Sequence, residues 1–178
     1  MKNNSFKNTF CYPIIVLTVI CIVISTILAY VQGVTDPIII KQKEEAAKAA
    51  RIEVLPKAED FIKIDMELPE GAIDAYKSTN GVGYVITTKA VGYDSSGLVV
   101  MCGINEDGTI SKVKNLENNE TPGLGSKVKE DKYTSQYAGK DKSLDGVEAI
   151  GGATRSSKAF EKAVNIAFDI FKTVKEGK

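Results

Sequence analysis

Gly97-Leu98-Val99-Val100-Met101-Cys102-Gly103-Ile104, followed at once by Asn105-Glu106-Asp107-Gly108, is the stretch that decides the fold. An apolar, β-branched run closed by turn residues reads as a strand and the turn that ends it. Upstream, Tyr84-Val85-Ile86-Thr87-Thr88 repeats the pattern between the turn signals Asn80-Gly81 and Asp94-Ser95-Ser96-Gly97. The segment from Ile73 to Leu116 is therefore expected to be a meander of antiparallel strands. Cys102 sits in its most apolar strand with nothing basic next to it in sequence, the setting of a buried, unreactive thiol. Downstream, Ala159, Phe160, Ala163, Val164, Ala167, Ile170, Phe171 and Val174 recur at three and four, with Lys158, Glu161, Lys162, Asn165, Asp169 and Lys172 opposite. That is an amphipathic helix, with Ser156 or Ser157 as its expected N-cap. A meander and a one-faced helix give an α+β class, helices packing on one face of an antiparallel sheet.

Further outward, the charge distribution changes. The sequence has 178 residues, 23 basic and 23 acidic, yet none is charged between Lys7 and Asp36. At 1.5 Å per residue, the stretch from Phe10 to Val31 covers roughly the 30 Å hydrocarbon core of a bilayer. We read residues 10–32 as a single transmembrane helix after a tail, residues 1–9. A cleaved signal peptide is the competing reading, since Lys2 and Lys7 form a basic start and Val31-Gln32-Gly33 passes as a cleavage site; its apolar region would be unusually long. Cys11 and Cys21 are then packing residues in or beside the membrane. The segment 33–56 is a linker and stalk, helical from Lys41 to Leu55, with Glu44 and Lys48 at i,i+4 and Pro56 as its stop. Residues 57–178 form the folded domain. Basic residues on the two sides of the span do not decide its orientation; one span after a short tail most often places the domain outside the cytoplasm, so a single-pass protein of the cell (inner) membrane with an extracytoplasmic C-terminal domain is expected.

Composition excludes much else. With no His, the chain has no Ser-His-Asp or Cys-His group and no His-ligated metal. Its three cysteines form no C-x-x-C pair, so no metal site is expected from them. From Asp36 on, 21 basic residues face 23 acidic ones; that balance lacks the basic excess of a nucleic-acid binder.

Two loops remain that carry chemistry. In Glu120-Thr121-Pro122-Gly123-Leu124-Gly125, proline and glycine prevent regular structure and leave Leu124 on a loop tip. In Gly151-Gly152-Ala153-Thr154-Arg155-Ser156-Ser157, small residues and hydroxyls precede the amphipathic helix, where free N–H groups and the helix dipole suit a phosphate. Taken singly, each also reads as an ordinary turn. The second lacks the Gly-Lys-Ser/Thr of a nucleotide-binding phosphate loop.

Taken in order, a single span, a Gly92-Tyr93 strand start, Gly103 to Ile110, Glu-Thr-Pro-Gly-Leu-Gly and Gly-Ala-Thr-Arg-Ser-Ser resemble the FMN-binding domain family. Within it the chain is similar to the G subunits of Rnf electron-transport complexes. The resemblance implies FMN joined covalently, through its phosphate, to Thr154 by a flavin transferase. Gly152, Ala153, Arg155, Ser156 and Ser157 would surround the attachment, and Glu120, Thr121, Pro122, Gly123, Leu124 and Gly125 would line the flavin site. It further implies a protein without catalytic activity of its own, carrying electrons beside other membrane subunits of a ferredoxin:NAD oxidoreductase that moves ions. Gly151 stands where the family usually has Ser or Thr, and Glu148 where it often has Asp. Two alternatives stand beside this reading. One is the C subunit of a Na⁺-translocating NADH:quinone reductase, usually longer between span and flavin motif; the other is a membrane-tethered binding module without cofactor.

Overall fold

The computed structural model describes residues 11–176. The expected tail, with Lys2, Lys7 and Phe10, and the side chain of Cys11 lie outside the described residues. The chain divides into two units, one running to Ala46 and one beginning at Ala47.

Helix α1 (Cys11–Val54) contains Pro37, so the helix does not stop where Gly33 suggested a linker. Among the described residues, one helix is long and apolar enough to cross a membrane. Its apolar side chains, Ile14 to Val34, are exposed, and Thr18 and Thr26 donate their hydroxyls to the carbonyls of Ile14 and Ile22 at 2.9 and 2.7 Å. A helix that meets lipid must satisfy its polar groups internally, and these two do.

The second unit holds five strands, β1 (Phe61–Lys63), β2 (Ala72–Ser78), β3 (Gly83–Ala90), β4 (Leu98–Asn105) and β5 (Ile110–Asn118). They pair in sequence order, all antiparallel. This is the meander expected from the turns, with the short edge strand β1 added. After it come a 3-10 turn (Gly125–Lys129), α2 (Asp131–Thr134), a second 3-10 turn (Ser135–Tyr137) and α3 (Thr154–Lys175).

Strand alternation sets both faces of the sheet. Tyr84 and Ile86 of β3, with Leu98, Val100, Cys102 and Ile104 of β4, pack with Phe160, Ala163, Val164 and Ala167 of α3. The Thr88 hydroxyl fixes the match by donating to the Ala163 carbonyl at 2.8 Å. Cys102 is fully buried there, and burial pushes its thiol pKa far up, as expected of an inert packing residue.

The opposite face corrects the expectation of helices on one side only. Val85 and Met101 point away from α3 and are covered by Ala50, Val54 and Leu55. Hence the unit begins at Ala47 rather than at residue 57: two turns that read as stalk are core. Glu53 accepts from Lys112 at 2.6 Å and pairs also with Lys114 on β5. Gly103 makes this contact possible, since a Cβ there would stand 2.2 Å from the Val54 carbonyl oxygen. Gly103→Ala should therefore destabilise the second unit by about 1–3 kcal/mol through overpacking. Chemical unfolding of the full chain in detergent measures it; an unchanged midpoint would mean that the contact is not tight.

Candidate functional site

Helix α3 starts at Thr154, with Ala153 as N-cap and no side-chain cap. The expectation of a capping Ser156 or Ser157 is thus corrected: both lie inside the first turn and are buried. Ser157 donates its hydroxyl to the Ala153 carbonyl at 3.1 Å and accepts from the Ile150 N–H at 3.0 Å. Ser156 turns the other way and donates to Glu120 Oε2 at 2.6 Å. The first intrahelical bond runs from Ser157 N–H to the Ala153 carbonyl. The N–H groups of Thr154, Arg155 and Ser156 precede it and point out of the helix start, at the positive end of the dipole.

Glu120 is the centre of the site. Only 3 % exposed, its carboxylate accepts from Tyr93 N–H at 3.0 and 3.3 Å and from Asp94 N–H at 3.2 Å, besides the Ser156 hydroxyl. One side chain thus ties three segments together: the β3–β4 loop, the loop after β5 and the first turn of α3. A buried carboxylate is tolerable only when its oxygens are satisfied in this way. The neighbouring glycines follow from the clamp, for a Cβ on Gly92 would stand 2.3 Å from Glu120 Oε1, and one on Gly125 2.5 Å from Ser156 Oγ. Gly92-Tyr93, expected to start a strand, lies instead in the β3–β4 loop. There its backbone serves Glu120.

These contacts bring the two sequence loops to one cleft of about 300 Å³. Glu120, Thr121, Leu124 and Gly125 form one wall, and Gly152, Ala153, Arg155 and Ser156 the other. Pro122, Gly123 and Ser157 do not line it. Thr154 is exposed between two residues that do. Sequence reasoning placed no role on Tyr93, which lines the cleft, is 68 % exposed and has the Arg155 guanidinium 6.0 Å from its ring centroid. A signal existed: an aromatic residue directly before the Asp94–Gly97 turn has no hydrophobic period to join. Gly152 takes φ +79°, a conformation open to glycine, and so turns the chain into Ala153 and the helix.

Beneath the helix start, Tyr133 packs edge to face with both Tyr137 and Phe160, and Tyr137 lies tilted against Phe160, with ring centroids 5.2–5.6 Å apart. The Tyr133 and Tyr137 hydroxyls are 2.9 Å apart, and Tyr133 donates to the Ser157 carbonyl at 3.3 Å. Burial holds both phenols above their ordinary pKa. A larger cleft, about 560 Å³, lies on the other flank of Gly151, between Lys127, Tyr133 and Glu148; neither Leu124 nor Arg155 reaches it.

Comparison with known proteins fits this geometry. Residues 92–169 match the FMN-binding domain family, a span that runs from Gly92 through both loops into α3. The chain is 31 % identical to the G subunit of the Na⁺-translocating ferredoxin:NAD⁺ oxidoreductase complex of Acetobacterium woodii, covering 90 % of each chain. The chain belongs to the G-subunit family of ion-translocating oxidoreductase complexes. The G subunit of the proton-translocating ferredoxin:NAD⁺ oxidoreductase complex of Clostridium ljungdahlii is 27 % identical over 91 % of each chain. A solved structure, NqrC of Shewanella oneidensis, is 17 % identical with a TM-score of 0.47, over 70 % of this chain and 74 % of that one. As a member of the G-subunit family, the chain carries an FMN-binding domain, and the residues at the cleft suit FMN. Three N–H groups and Arg155 could hold a phosphate, while Leu124 and Tyr93 could offer apolar surface to a ring.

Proposed function

We propose that this chain is the membrane-anchored electron carrier of an ion-translocating ferredoxin:NAD⁺ oxidoreductase and holds FMN as a phosphoester on Thr154. The observation that carries the reading is the cleft itself. Glu120 draws the Glu120–Gly125 loop to the start of α3, and Thr154 lies exposed at that start with free N–H groups behind it.

Each residue then has a task. Thr154 supplies the oxygen of the ester; with no His in the chain to take its proton, a separate flavin transferase activates it. The N–H groups of Arg155 and Ser156 and the Arg155 guanidinium hold phosphate charge at the positive end of α3. Leu124 and Tyr93 flank the ring position, and the cleft's exposure leaves an edge open to a redox partner. FMN supplies the electron chemistry. The anchor and the covalent bond keep that chemistry near the other membrane subunits at high effective concentration. Residues 10–32 span the membrane, 33–56 lead to the domain, and 57–178 with the last turns of α1 form the flavin domain outside the cytoplasm. The span holds no charged residue between Lys7 and Asp36, so its sequence does not identify the coupling ion.

Coexpression with a flavin transferase should give a band that fluoresces as flavin on a denaturing gel. A dark band would remove the electron-carrier reading and leave a cofactor-free module. For topology, a reporter fused after Lys178 should be active only on the extracytoplasmic side; activity in the cytoplasm would reverse the orientation.

A further inference from the structure

Glu120 does more than line the cleft. Its carboxylate is buried and is bound by two backbone N–H groups and one hydroxyl, and Glu120 lines the cleft together with Leu124 and the start of α3. The donors that hold it are neutral, so its negative charge is not cancelled by a cation within the clamp. We propose that Glu120 is a positioning residue whose charge also lowers the reduction potential of a flavin held in this cleft. The inference rests on the proposed attachment at Thr154.

The physical reason is direct. Each electron that reaches the ring brings negative charge into a cleft walled by a carboxylate, and the low dielectric of the wall leaves that repulsion weakly screened. The reduced flavin is disfavoured, and the carrier becomes a stronger reductant. The same atoms keep the loops together, so position and charge must be separated by substitution.

Glu120→Gln does so. Its amide oxygen can replace Oε1 as acceptor for Tyr93 and Asp94 N–H, and its NH₂ can donate to Ser156 Oγ in a bond of reversed direction; only the longer Tyr93 contact to Oε2, at 3.3 Å, is lost with the charge. In the full-length chain coexpressed with a flavin transferase, the variant should still carry flavin, read as fluorescence on a denaturing gel. In a redox titration its potential should be more positive, the reduced-to-oxidised ratio at the wild-type midpoint rising on the order of tenfold. Ser156→Ala, which removes one contact and keeps the charge, should not raise the potential. An unshifted Glu120→Gln potential overturns the proposal, as does an equal rise in Ser156→Ala or a Glu120→Gln chain that takes no flavin. A dark wild-type band would instead strike the attachment itself.

Discussion

Thr154→Ala is expected to abolish covalent flavin completely. The neighbouring hydroxyls cannot replace it. Ser156 and Ser157 are 2 % and 1 % exposed, and each already holds a hydrogen bond, to Glu120 and to Ala153 respectively. Neither can stand in for Thr154 without dismantling the clamp or the first turn of α3. The fold should not notice the change, because Thr154 is exposed and caps nothing; stability should stay within about 0.5 kcal/mol. Thr154→Ser keeps an oxygen at the same place and should retain part of the flavin. In-gel fluorescence of the three chains reads the result, and a bright Thr154→Ala band would refute the assignment.

The second large effect is on stability. Phe160 is fully buried and packs against both Tyr133 and Tyr137 two turns below the start of α3. Phe160→Ala leaves a cavity under the helix and removes the surface on which the two tyrosines rest, so a loss of about 3–5 kcal/mol is expected. The tyrosine hydroxyls would lose the geometry by which Tyr133 reaches the Ser157 carbonyl. Flavin yield should fall with stability, since the same turn carries Ser156 and the clamp. Unfolding by urea, followed in the full chain, would show a shift of well under 1 kcal/mol if the aromatic cluster were incidental.

Much of the architecture could be read from residues. The hairpins were legible at Asn80-Gly81 and Asn105 to Gly108 because turn chemistry is local, and α3 because its apolar face repeats from Ala159 to Val174. The cover on the second face of the sheet was not, because Ala50 and Val54, with Leu55 just beyond them, end an Ala-, Glu- and Lys-rich helix whose composition is that of a solvated stalk. Nor was β1 visible, for three residues at an edge carry no period. The loops were recognisable as special, but the reason they meet was hidden: Glu120 and Ser156 lie 36 positions apart, and nothing local says that the carboxylate turns inward. The serines illustrate the same point. As sequence they are caps; in the fold they are buried struts, one on each side of the helix start.

An ester on the single oxygen of Thr154 is tested most directly by peptide mass spectrometry. Cleavage after Lys142 and Arg155 releases residues 143–155, which contain two hydroxyl side chains, Ser143 and Thr154. In protein matured with a flavin transferase, that peptide should gain the mass of FMN less one water, with fragmentation placing it on Thr154. An unmodified 143–155 peptide, or the same mass on Ser143 or on another peptide, would contradict the account.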